Sequence, residues 1–99
     1  MGILNKLFGP KTDLSAIKRE GAIILDVRTA GEYQGGNGEG SINIPLDQLK
    51  GKIDVIKSYN MPIITCCASG IRSGSAVTIL KRNGVEAYNG GSWSKADQL

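Results

Sequence analysis

Ninety-nine residues, 40% of them hydrophobic, suffice for one domain with a buried core and are too few for two. Charged residues are 21% and aromatics 5%, so the core must rest on Ile, Leu, Val and Ala, as in a buried parallel sheet. The net charge of +3 lies on scattered single Lys and Arg, with Lys18-Arg19 and Lys81-Arg82 the only adjacent basic pairs. This argues against nucleic acid as a partner, and the absence of histidine removes Cys-His and Ser-His-Asp chemistry and most zinc or haem sites.

Residues 1–11 read as an N-terminal arm packed on the domain, the alternative being one amphipathic turn of Ile3, Leu4, Leu7 and Phe8 that meets a membrane or a partner. The opening is too short in apolar residues for a signal-peptide core, Lys6 stands where a myristoylation start has Ser or Thr, and nothing resembles a membrane span. The expectation is a cytoplasmic protein. After Gly9-Pro10, Thr12 is placed to cap a helix through Arg19, with Leu14 and Ile17 inward and Gly21 as its stop. Residues 22–27 are a short apolar run, read as a buried strand. Thr29 and Glu32 form a capping box that opens a short helix, which ends in the glycine-rich residues 35–40. A short alternating run at 42–45 ends at Pro45, and 46–59 is helical in pattern with a break near Gly51. Residues 62–66 are the second apolar strand, 73–83 a helix with Ala76, Val77 and Leu80 on one face, and 85–88 a last strand. Strands alternating with helices predict an α/β domain over residues 12–99, an open parallel β-sheet flanked by helices on both faces.

Chemistry concentrates at Cys66-Cys67. Consecutive Cα atoms lie about 3.8 Å apart, short of the roughly 4.4 Å an ordinary disulfide needs, and two adjacent thiols do not make a structural metal site. Cys67-Ala68-Ser69-Gly70-Ile71-Arg72-Ser73 joins a strand to a helix N-terminus, where unpaired N–H groups and the helix dipole favour negative charge. Cys67 is therefore a candidate nucleophile, with the amides of Ala68, Ser69, Gly70, Ile71, Arg72 and Ser73 around it and the Arg72 cation as a third source of activation. Read without a function, the same cysteine is a small buried hydrophobe. Strand alternation points Cys66 the other way, into the core, leaving Cys67 to face solvent. Arg72 is either a solvated charge or a fork for an anion, against the helix dipole. Asp26 and Arg28 read as an ion pair bracing the sheet's carboxyl edge, Trp93 as a lid on the core, and Ser69 and Ser73 as hydroxyl donors or a helix cap.

Five segments resemble, in order, the rhodanese family of sulfurtransferases. They are Asp26-Val27-Arg28, Glu32-Tyr33 with its glycine-rich turn, Gly40-Ser41-Ile42-Asn43-Ile44-Pro45, Cys67-x-x-Gly70-x-Arg72-Ser73, and Tyr88-Asn89-Gly90-Gly91-Ser92-Trp93. The family often has Gly-His-Ile-x-Gly where Gly36-Asn37-Gly38-Glu39-Gly40 stands here, and its thiosulfate specialists carry more basic residues in the cysteine loop. The resemblance implies a Cys67 that carries a sulfane sulfur as a persulfide without cofactor or metal. It also implies a small anionic sulfur donor, namely thiosulfate, polysulfide or a low-molecular-weight persulfide. The acceptor would be a thiol or cyanide-like, and a protein acceptor is compatible. The alternatives are a non-catalytic binding or sulfur-carrier module of the same fold, and a cysteine phosphatase. Phosphatases place five residues between cysteine and arginine, whereas four separate Cys67 from Arg72.

Overall fold

A computed structural model describes residues 12–99; the arm expected over 1–11 lies outside the described residues. Four strands, β1 (Ile23–Asp26), β2 (Ile42–Asn43), β3 (Ile63–Cys67) and β4 (Ala87–Ser92), form one parallel sheet in the order β2-β1-β3-β4. The helices are α1 (Leu14–Arg19), α2 (Ala30–Gln34), α3 (Ile53–Ser58), α4 (Ile71–Arg82) and α5 (Trp93–Asp97), and a 3₁₀ helix (Leu46–Lys52) runs into α3. Every residue of β3 is buried, as a strand covered on both faces requires.

Side-chain alternation sorts the core into two clusters. Leu25, Ile63, Cys67 and Ala87 pack with Leu49, Ile56, Ala76 and Leu80 from the 3₁₀ helix, α3 and α4. Ile24, Ile64 and Cys66 pack on the opposite face with Leu14 and Ile17 of α1 and with Trp93 and Ala96 of α5.

Three local expectations shift. The cap of α1 is Asp13, not Thr12: Asp13 has extended backbone and its carboxylate accepts the Ala16 N–H at 3.1 Å. The cysteine-bearing strand runs one residue further, and the following helix starts at Ile71 because Gly70, at φ +103°, turns the chain in a left-handed conformation that favours glycine. The last strand extends to Ser92, because Gly90 lies so close to β3 that a Cβ there would meet Ile64 Cγ2 at 2.8 Å and the Thr65 carbonyl oxygen at 3.0 Å.

At the carboxyl end of β1, the fully buried Asp26 carboxylate accepts from Arg28 Nη2 at 2.7 Å, from Arg28 Nε at 3.0 Å, and from the Arg28 backbone N–H at 3.0 Å. Arg28 also donates to the carbonyls of Gly36 at 2.7 Å and Glu32 at 3.3 Å, and stacks 4.9 Å from the centre of the Trp93 ring. One side chain thus ties β1 to α2, the glycine-rich loop and α5. Breaking a buried pair strands a charge, so Arg28→Met should lower stability by about 3–5 kcal/mol in urea unfolding. A loss below about 1 kcal/mol, the range of a surface pair, would show that the bracing is not real.

Candidate functional site

Cys67 is the last residue of β3, and it pairs with Ser92 of β4 across an irregularity between Thr65 and Cys67. Cys66 and Cys67 are both free thiols, each 1% exposed, in opposite core clusters. The expectation that Cys67 faces solvent is thus corrected: the extra strand residue draws it under the first turn of α4. For Cys66 burial dominates, reinforced by the nearby Asp26 charge, and pushes the thiol up to about 12.

Cys67 meets a different environment. Its Sγ lies 3.0 Å from the Gly70 N, 3.4 Å from the Ser73 N and 3.5 Å from the Ser73 Oγ. Burial is the largest single influence and pushes its pKa up. The Ser73 hydroxyl and N–H, with the Gly70 and Ser69 amides, together outweigh it and bring the thiol down to about 7. Of the loop, Ala68 and Ser69 are exposed, Ile71 is exposed, and Ser73 is buried against the sulfur. Ser73 therefore acts inside the first turn, while Gly70 takes the cap position without a side-chain hydrogen bond.

Arg72 points elsewhere. Its Nη1 and Nη2 donate to the two carboxylate oxygens of Glu32 at 2.7 and 3.0 Å, a bidentate pair at the surface. Glu32 also caps α2 by accepting from the Thr29 N–H and hydroxyl, each at 3.1 Å. Its carboxyl is held down at about 2, chiefly by the Arg72 hydrogen bond. Arg72 is thus committed to a carboxylate, and the groups that activate Cys67 most are amides and a hydroxyl.

Asn89 was not singled out by the sequence. Its Oδ1 accepts from the Ser73 hydroxyl at 2.7 Å and the Gly91 N–H at 2.9 Å, and its Nδ2 donates to the Gly70 carbonyl at 2.9 Å. It holds both the turn and the hydroxyl that meet the sulfur, and no local sequence rule marks an asparagine for that task. Asp26 and Arg28 stand one layer behind, fixing α2 and so the placement of Glu32. Among the described residues, no group of three or more His, Cys, Asp or Glu could hold a metal ion, and no helix is long and apolar enough to cross a membrane. The arrangement can hold one negative sulfur atom in a ring of fixed donors at a helix N-terminus.

A parallel α/β sheet with such a cysteine turn at its carboxyl edge defines a class, and the chain belongs to the rhodanese-like domain family, which matches residues 11–95. It is 41% identical over 69 residues to YqhL, an uncharacterized protein of Bacillus subtilis, covering 69% of this chain and 54% of YqhL. It is 33% identical over 73 residues to the tRNA uridine(34) hydroxylase of Buchnera aphidicola, covering 69% of this chain and 23% of that protein. The chain therefore spans about half the length of one curated relative and about a quarter of the other. A rhodanese-related protein of Thermoplasma volcanium superposes with a TM-score of 0.72 at 31% identity, covering 87% of this chain and 86% of that one.

A thiol lowered to about 7 is mostly thiolate above that pH. Haloacetamide alkylation of Cys67 should level off above neutrality and fall about tenfold per pH unit below it. Ser73→Ala should move the midpoint upward toward the ordinary thiol value, whereas Arg72→Ala should leave it nearly in place. A midpoint that moves with Arg72 and ignores Ser73 would reverse this ordering of the donors.

Proposed function

We propose that the protein is a sulfurtransferase that passes a sulfane sulfur through a Cys67 persulfide. The observation that supports this most is the sulfur cradle: Gly70 and Ser73 N–H groups aimed at a cysteine lowered to about 7, in a chain without histidine. The Cys67 thiolate attacks the outer sulfur of the donor, and the donor's bond to that sulfur breaks with its electron pair on the departing sulfite or thiolate. The persulfide left on Cys67 carries its charge on the outer sulfur, and the inner sulfur keeps its place among the amides. An acceptor thiolate or cyanide then attacks the outer sulfur, and the electron pair returns to Cys67. Electrons balance without a cofactor.

Cys66 has no part in this cycle, since it lies on the other face of the sheet with its thiol pushed up to about 12. The phosphatase reading finds no support in a four-residue spacing and an arginine already paired with Glu32. A second reading, a carrier module that holds the persulfide without turning over small donors, draws on the burial of Cys67, 1% exposed.

Intact-protein mass after incubation with thiosulfate, inorganic polysulfide or an organic persulfide tests the proposal. One added sulfur atom is expected on the wild type and on Cys66→Ser, and none on Cys67→Ser. Release of thiocyanate on adding cyanide, over many cycles, identifies an enzyme, and a single discharge identifies a carrier. No gain of sulfur from any of the three donors overturns the proposal, as does Cys67-dependent hydrolysis of an aryl phosphate at a comparable rate.

A further inference from the structure

We propose that Asn89 is the positioning residue of the sulfur site: its side chain keeps the Ser73 hydroxyl proton turned away from Cys67 and yields it when that sulfur leaves as a thiolate. This rests on the sulfur-transfer reading and names the residue that regulates its site. The carboxamide can stand only one way round. The Gly91 N–H, which can only donate, lies 2.9 Å from Oδ1, and the Gly70 carbonyl, which can only accept, lies 2.9 Å from Nδ2. The atom 2.7 Å from Ser73 Oγ is therefore an acceptor, and the single hydroxyl proton of Ser73 is committed to it. Ser73 Oγ is left facing Cys67 Sγ, 3.5 Å away, with a lone pair that suits a thiol.

Two features of the backbone put Asn89 there. Thr65 pairs with Asn89 and Cys67 with Ser92, so β4 carries one more residue than β3 across this stretch. The extra residue is taken up where Gly91, at φ +82°, bends the strand and presents its N–H to Asn89. On α4, a Cβ at Gly74 would come within 3.3 Å of Asn89 Nδ2. Glycine is ordinarily unfavourable inside a helix, and here it leaves room for the carboxamide. Asn89 itself is exposed, so replacing it opens no cavity.

The step needs no proton transfer. In the persulfide the charge lies on the outer sulfur, and the hydroxyl stays with Asn89. When an acceptor attacks that outer sulfur, the S–S electron pair returns to Sγ, and the hydroxyl, still bonded to its proton, rotates from Oδ1 to the new thiolate. Restraint of this kind keeps Cys67 basic enough to attack, since nucleophilicity falls with thiol pKa, while the proton remains at hand for departure.

Haloacetamide alkylation of Cys67 across pH tests this in a double-mutant cycle. The elements around Cys67 bring Cys66 and Tyr88, both in the opposite cluster, and the pairs of Asp26 with Arg28 and Glu32 with Arg72, while the charges of the 3₁₀ helix, α3 and the end of α4 are exposed. All are the same in each member of the cycle. Asn89→Ala frees the hydroxyl, so the midpoint shift it causes should lie about one pH unit lower where Ser73 is present than in Ser73→Ala, the scale of one hydrogen bond to a charged group. A shift equal in both backgrounds, or higher where Ser73 is present, overturns the inference, because an Asn89 that merely builds the turn behaves that way. Asn89→Leu repeats the cycle if Asn89→Ala does not fold. In the wild type, the NMR signals of the Asn89 side-chain amide should titrate with Cys67, and by less than half as much in Ser73→Ala. Signals that ignore Cys67, or follow it equally in both proteins, also overturn it. Above both midpoints, the ratio of discharge into cyanide to loading by the sulfur donor should rise several-fold in Asn89→Ala, and an unchanged or lower ratio in the folded variant overturns it as well. Alkylation and NMR need no turnover, so failure of every donor to load sulfur sinks the sulfur-transfer reading and leaves these two to decide the role of Asn89.

Discussion

Arg28 enters the carboxyl edge of the sheet with its charge matched by Asp26, and its remaining donors are spent on the carbonyls of Glu32 and Gly36. Replacing both partners of such an ion pair by apolar residues changes stability little, because desolvation offsets most of their attraction, whereas removing one strands the other's charge. The pair's consequence is positional. With α2 fixed by the Glu32 carbonyl, the Glu32 carboxylate stands where it can take Arg72, and Arg72 fastens the first turn of α4. That turn carries the Ser73 donors of the sulfur site. A chain of charge-matched contacts therefore runs from β1 to the cysteine.

The same chain explains how the site activates a thiol without an imidazole or a free cation. A mobile cation must be held in place at an entropic cost, whereas backbone amides at a helix terminus are already oriented. Burial works against the Cys67 thiolate and would alone raise its pKa, as it does for Cys66. Two cysteines adjacent in sequence and equally buried are thus pushed in opposite directions, to about 12 and about 7. The difference is what each face of the sheet offers: Cys66 sees hydrocarbon and the Asp26 charge, and Cys67 sees N–H groups.

Much of the architecture was legible because it rests on short-range rules. Apolar runs gave β1 and β3, and the Thr29 and Glu32 capping box gave α2. Strand alternation placed Cys66 in the core correctly. The same rule misled about Cys67, since alternation says which face a side chain takes and not whether a later helix covers that face. Glu32 was read through its local partner Thr29, but its second partner is Arg72, 40 residues away. Asn89 acts on residues 16 and 19 positions away, through hydrogen bonds that leave no periodicity in the sequence. Family resemblance drew attention to the segment around Asn89, and only the geometry assigned that side chain a task.

The burial of Cys67 also bears on where sulfur transfer would take place. A sulfur added to Sγ extends the side chain by an S–S bond of about 2.05 Å, so the atom that an acceptor attacks is displaced from the position that is 1% exposed. In the proposed cycle the inner sulfur would stay among its donors and would be the leaving atom when the acceptor attacks. A leaving thiolate already near neutrality departs more readily than one at the ordinary thiol value. One set of amides would then serve both half-reactions, first by ionising the nucleophile and later by receiving it back as leaving group. Ser73 links these states: in the thiol form Cys67 can donate to the Ser73 oxygen while that hydroxyl donates to Asn89, and in the thiolate form the sulfur competes with Asn89 for the same proton. The 2.7 Å bond to Asn89 limits how far the hydroxyl can favour the thiolate, which would hold the cysteine near neutrality rather than far below it.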